Sequence, residues 1–124
     1  MPDLIYNKRT RTLSGFGKTW TARSGGESCE ALASKNYSVP PLSLMIGTEH
    51  IPGAIYHNKY SRICFKDGNG LGWFLWLGEG QLGIHPNGNI SGTQGCIGIV
   101  NSNTRDLFDL LRARSDQTLS VLVL

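Results

Sequence analysis

The chain has 124 residues, of which 40% are hydrophobic and 17% are charged, so it fits a single domain over residues 1–124 with a packed core. This composition excludes a chain that is disordered throughout. The formal net charge is only +3 and the basic residues are dispersed, so we expect no nucleic-acid partner, and the lack of a long apolar run predicts no membrane span.

Short runs of β-forming residues recur along the chain and predict a mostly β domain. In chain order, strands are predicted at 4–6, 18–22, 43–46, 54–57, 62–65, 73–77, 82–85, 96–100 and 119–124. The turn at 67–70 stands between two of these runs and predicts a hairpin. The runs at 73–77 and 119–124 alternate poorly, which indicates strands buried on both faces, although one tryptophan of the former could instead stack on a substrate.

One helix is predicted near the C-terminus. Leu107, Leu110 and Leu111 lie at i, i+3 and i+4, on one face of the predicted helix. Ser102 or Asn103 can cap the N-terminus of this helix. A shorter helix is predicted at 27–35. The expected architecture is a compact β-sandwich or barrel-like domain with one C-terminal helix and a closing strand.

A histidine and a cysteine in successive predicted strands are the strongest candidates for catalysis. His85 ends one apolar run, and Cys96 begins the next after a polar loop. If the two strands are neighbours, the imidazole can take the thiol proton and create a nucleophile. Gly95 permits a tight backbone, so the amides of Gln94, Gly95 and Cys96 could form an oxyanion hole for acyl transfer.

The same residues also have structural interpretations. A cysteine beside glycine can be a small core residue, and a histidine at a strand end can be a hydrogen-bonded structural residue. The chain has three cysteines, so Cys29 and Cys64 could pair and leave Cys96 free, or all three could be reduced. No CxxC or HxxxH spacing occurs, and we therefore expect no metal and no cofactor.

This segment resembles the signature of YkuD-like L,D-transpeptidases, in which a histidine precedes a Ser/Thr-His-Gly-Cys element. His85 matches the upstream histidine, and Thr93, Gly95 and Cys96 match the element. The resemblance implies a YkuD-like catalytic domain that acts on peptidoglycan stem peptides. It implies Cys96 as nucleophile and His85 as general base and then general acid, with Thr93, Gln94 and Gly95 shaping the oxyanion loop.

The signature has two departures in this chain. Gln94 stands in place of the second histidine, and Gly98 stands where an Arg or Asn is usual. Together with the short loop between histidine and cysteine, they resemble a branch of small L,D-transpeptidase-like toxins delivered by type VI secretion. Residues 23–25 and 52–56 resemble further elements of that branch.

Three other residues have roles that follow only from motif position. Asn87 could orient the imidazole, as in Cys-His-Asn enzymes, or a backbone carbonyl could do so. Ser24 and Tyr56 are candidates for the substrate pocket by the same resemblance.

The resemblance implies an L,D-carboxypeptidase, an L,D-transpeptidase or a D-amino-acid exchange enzyme that serves as a secreted antibacterial toxin. The N-terminus shows no signal-peptide pattern, so we expect synthesis in a bacterial cytosol and delivery to the periplasm of a target cell. A cognate immunity protein and a component of the secretion apparatus are the expected partners. The alternatives are a different wall-targeting cysteine amidase or endopeptidase, and a non-catalytic wall-binding module of the same fold.

Overall fold

A computed structural model gives the fold and describes residues 2–24, 33–46, 67–80, 82–86 and 97–124. The fold is mostly β, as predicted. These residues form nine strands and one helix: β1 (Leu4–Asn7), β2 (Thr12–Gly15), β3 (Lys18–Arg23), β4 (Asn36–Val39), β5 (Leu44–Ile46), β6 (Trp73–Trp76), β7 (Gly83–Pro86), β8 (Ile97–Ile99), α1 (Arg105–Arg112) and β9 (Leu119–Val123).

The nine strands of the described residues form one curled sheet, in the order β4-β9-β1-β2-β3-β8-β7-β6-β5. Neighbouring strands are antiparallel except for the pairs β1–β9 and β7–β8, which are parallel. The curl brings the loop after β6 against the edge strand β4. Lys35 forms an ion pair with Glu79 there, and a side chain on Gly78 would overlap the carbonyl oxygen of Ser38. The described strands therefore form one curled sheet, and the fold agrees with the prediction of a compact, mostly β domain with one helix.

One face of the curled sheet, the inner face, encloses the hydrophobic core. Because side chains alternate along a strand, every second residue of most strands points into it. Helix α1 packs against this face, and the ring centroids of Trp73 and Phe108 lie 6.4 Å apart. Buried residues of the core include Leu4, Tyr6, Leu13, Trp20, Ala22, Leu75, Ile84, Ile97, Ile99, Leu107, Leu111 and Val121.

A buried carboxylate fixes the start of helix α1. Asp67 accepts hydrogen bonds at one oxygen from the Thr104 amide and hydroxyl, and at the other from the amides of Asn69 and Leu71. The Thr104 hydroxyl in turn accepts from the indole nitrogen of Trp73 at 2.9 Å. Burial raises the pKa of Asp67, but the hydrogen bonds outweigh it and the net pKa lies below the ordinary value.

Strands β2 and β4 were not predicted. A two-residue turn, Phe16-Gly17, joins β2 to β3, and both of its residues have positive φ (53° and 76°). A phenylalanine is an unusual residue for this conformation, so the turn carries no standard sequence signal. Strand β4 alternates exposed and buried residues, but half of it is polar and it is only four residues long.

Several predictions about element boundaries and burial have definite outcomes. The closing strand β9 alternates buried and partly buried residues, so the prediction that both its faces are buried is wrong. The prediction is confirmed for Trp73, Phe74 and Leu75 of β6, all of which are buried. The strands predicted at 54–57 and 62–65 lie outside the described residues. So does most of the helix predicted at 27–35, and residues 33–35 are not helical.

Candidate active site

His85 lies on the face of the sheet opposite to the core, which we call the outer face. Its strand neighbour Ile84 belongs to the core, so alternation directs His85 to the other side. In the parallel pair β7–β8, His85 is level with Gly98. The imidazole is nevertheless only 1% exposed. The imidazole is therefore a buried titratable group on the face of the sheet opposite to the main core.

An aromatic ring holds the imidazole plane. Phe74 of β6 stacks on His85, with ring centroids 6.1 Å apart and an interplanar angle of 8°. A side chain on Gly83 would overlap the Phe74 ring, so glycine at this position lets the phenylalanine lie flat beside the histidine. The Phe74 ring and the imidazole therefore lie side by side and nearly parallel.

A backbone carbonyl fixes the tautomer of His85. The Nδ1 atom lies 2.7 Å from the carbonyl oxygen of Pro86. A carbonyl can only accept, so Nδ1 carries the proton and Nε2 is the basic nitrogen of the neutral ring. Of the two orienting groups that the sequence left open, a backbone carbonyl is present. The other, Asn87, lies outside the described residues.

Burial keeps the imidazole neutral at physiological pH. Loss of solvation lowers the pKa of His85 from 6.5 to about 4, and the hydrogen bond to Pro86 opposes this shift. The ring of His85 is therefore neutral at pH 7, which is the form that can accept a proton. A thiolate beside it would raise its pKa, because an anion stabilises the protonated ring.

The strand that carries His85, β7, is the neighbour of β8, the strand that begins just after Cys96 in the chain. Ile97, the residue after Cys96 in the chain, is level with Ile84, the residue before His85. Cys96 itself lies outside the described residues. The same is true of the other predicted loop and pocket residues: Thr93, Gln94, Gly95 and Tyr56.

The residue of β3 that is in line with His85 is Arg23. Arg23 is level with Gly98, which is level with His85, so the three residues form one row across the outer face. The sequence prediction chose its neighbour Ser24, whose backbone hydrogen-bonds to the hydroxyl of Tyr6. Sequence reasoning did not relate Arg23 or Phe74 to His85, because that relation depends on the order and register of the strands.

Within the described part of the chain, no group of three or more His, Cys, Asp or Glu side chains is arranged to hold a metal ion. No helix in that part is long and apolar enough to cross a membrane.

A comparison with models of known protein families found no match, and a search of curated proteins found none that matches the chain.

Proposed function

We propose that this chain is a cysteine-nucleophile acyl-transfer enzyme that acts on peptidoglycan tetrapeptide stems, with Cys96 as nucleophile and His85 as general base. One observation carries the proposal. A buried, neutral histidine with a fixed tautomer lies on a strand that pairs directly with the strand that begins one residue after Cys96.

The strand pairing supports the proposal through the described residues alone. Ile97, which follows Cys96 in the chain, is level with Ile84, which precedes His85. Gly98 is level with His85 and has no side chain to place beside the imidazole.

The proposed reaction uses the proton that the imidazole can hold. Cys96 gives its proton to Nε2 of His85, and its sulfur forms a bond to the carbonyl carbon between the third stem residue and the terminal D-alanine. The C–N bond then breaks, and the imidazolium returns the proton to the leaving amine, which departs as D-alanine. Attack by water on the thioester gives the carboxypeptidase product. Attack by the amine of another stem or of a free D-amino acid gives the cross-link or the exchange product.

The finer parts of the proposal come from the resemblance of the His85-to-Cys96 segment to YkuD-like enzymes. They are the stem-peptide substrate, the role of an antibacterial toxin, and delivery into the periplasm of a target cell. The same holds for the partners, an immunity protein that covers the site in the producing cell and a component of the secretion apparatus.

Mass spectrometry of tetrapeptide muropeptides after incubation with the protein tests the function. We expect loss or exchange of D-alanine with the wild type and with Cys64→Ala, which removes a different cysteine. We expect no conversion with Cys96→Ala or His85→Gln. Cleavage at another bond would favour a wall amidase or endopeptidase, whereas binding of a folded wild type to stems without conversion would favour a non-catalytic module.

A further inference from the structure

The turn before β6 contains an asparagine that is followed by glycine. Asn69 and Gly70 are both exposed, although Asp67 at the start of the same turn is buried. Gly70 has a φ of 83°, in the left-handed region that favours glycine, so the shape of the turn requires a glycine at this position. A glycine has no side chain to shield its own peptide nitrogen from the carboxamide of the residue before it. The turn therefore combines access to water with an unshielded backbone amide next to a carboxamide.

The other asparagines of the described residues differ from Asn69. The side-chain oxygens of Asn7, Asn101 and Asn103 each accept a hydrogen bond from a backbone amide, which holds the carboxamide in place. The residue after each of these three is a lysine, a serine or a threonine, and the residue after Asn36 is a tyrosine. Among the asparagines that the structure describes, Asn69 alone is followed by glycine.

We infer that Asn69 is a site of spontaneous deamidation, at which a neutral side chain becomes a carboxylate. The peptide nitrogen of Gly70 loses its proton to hydroxide and forms a bond to Cγ of Asn69. The C–N bond of the carboxamide then breaks, and the leaving nitrogen takes a proton from water and departs as ammonia. The product is a five-membered succinimide ring. Water adds to one of its two carbonyl carbons and opens the ring, which leaves aspartate or isoaspartate at position 69. Water and the hydroxide that it supplies are the only co-reactants.

One hydrogen bond must open for this reaction. The Gly70 amide donates to the carbonyl oxygen of Asp67 at 3.1 Å, near the long end of the usual range. Hydrogen bonds of exposed turns open at a small part of the free energy that unfolding of the whole domain requires. The folded chain should therefore react more slowly than the unfolded chain, but it should still react.

The modification would disturb the buried carboxylate that fixes the start of α1. One oxygen of Asp67 accepts from the amides of Asn69 and Leu71 at 2.9 and 3.0 Å. Isoaspartate adds a methylene group to the backbone between residues 69 and 70, which displaces the Leu71 amide from this oxygen. The new carboxylate, two residues from Asp67, would also raise the pKa of Asp67, because like charges repel. Both effects weaken the acceptor that holds Thr104 at the N-terminus of the helix.

Peptide mapping by mass spectrometry tests the site. The folded wild type is incubated at mildly alkaline pH, and conversion of carboxamide to carboxylate is followed at each asparagine, with enzymatic methylation to identify isoaspartate. We expect Asn69 to convert faster than Asn36 and Asn103 by about tenfold or more, because a following glycine leaves the attacking nitrogen unshielded. The matched control Asn69→Gln keeps a carboxamide, but its longer side chain forms the cyclic imide far more slowly, so it should stay unmodified. Conversion at Asn69 that is no faster than at Asn36 and Asn103 would overturn the inference.

Thermal unfolding of the same samples tests the consequence for the helix. The incubated wild type, separated from unmodified protein by ion exchange, should melt about 5 °C lower, because a charge-assisted hydrogen bond of Asp67 is lost. Asn69→Gln should keep its Tm after the same incubation. A modified wild type whose Tm is unchanged would overturn the effect on the start of α1.

Discussion

The buried imidazole makes a quantitative prediction about stability and pH. A histidine whose pKa is about 4 when folded and 6.5 when unfolded binds its proton more readily in the unfolded chain. The contribution of His85 to the free energy of unfolding therefore has its full value above pH 6.5 and decreases as the pH falls from 6.5 toward 4. Below pH 4 both states are protonated and the effect levels off.

The size of the effect follows from the two pKa values. A difference of one in pKa corresponds to about 1.4 kcal/mol, so the free energy of unfolding should fall by about 2 kcal/mol at pH 5 and about 3 kcal/mol at pH 4. No discount for solvent screening applies, because His85 is only 1% exposed. Asp67 is also buried, and its pKa lies below the ordinary value of 3.8. Its contribution to the free energy of unfolding is therefore lost mainly below pH 4, outside the range in which His85 acts.

Urea unfolding between pH 4 and pH 7 measures the effect. The control variant is His85→Gln, which keeps a polar side chain but cannot titrate. The fall in its free energy of unfolding should be smaller than that of the wild type by about 2 kcal/mol at pH 5 and about 3 kcal/mol at pH 4. NMR titration of the imidazole protons gives the pKa directly. The chain has three histidines, and the signal that is missing from His85→Gln is the signal of His85. A His85 signal that titrates near 6.5, or equal pH dependence of the two proteins, would refute the reasoning.

Two further substitutions test the contacts that hold the site and the helix. Asp67→Ala leaves four hydrogen-bond donors without their acceptor. We expect it to lower the free energy of unfolding, measured in urea titrations, by about 3 kcal/mol or more. The control Asp116→Ala, at an exposed position, should change it by less than about 0.5 kcal/mol. Gly83→Ala puts a Cβ into the Phe74 ring and should lower the free energy of unfolding by about 1–3 kcal/mol. Displacement of the ring should expose the imidazole, so the pKa of His85 measured by NMR should rise, because burial is what lowers it. An unchanged pKa would contradict the role of the Phe74 ring.

The local sequence was sufficient to predict the elements whose patterns are strong. The leucines of α1 repeat at helical spacing, and β6 is apolar without interruption, so each was recognised from its own residues. The strands β2 and β4 were missed because they are short and partly polar, and because the Phe16-Gly17 turn has no common signal. Strand β4 pairs with β9, which is distant in the sequence, and β2 pairs with β1 and β3, and these pairings stabilise both strands.

The candidate site shows the same division. The sequence alone proposed His85 and Cys96, because an imidazole close to a thiol can take its proton and create a nucleophile. Only the tertiary structure placed His85 on the outer face, stacked it on Phe74, fixed Nδ1 on a carbonyl and put Arg23 in its row. Those relations depend on which strands are neighbours and in what register. Register is set by the packing of the whole sheet, and a single strand carries no record of its partner.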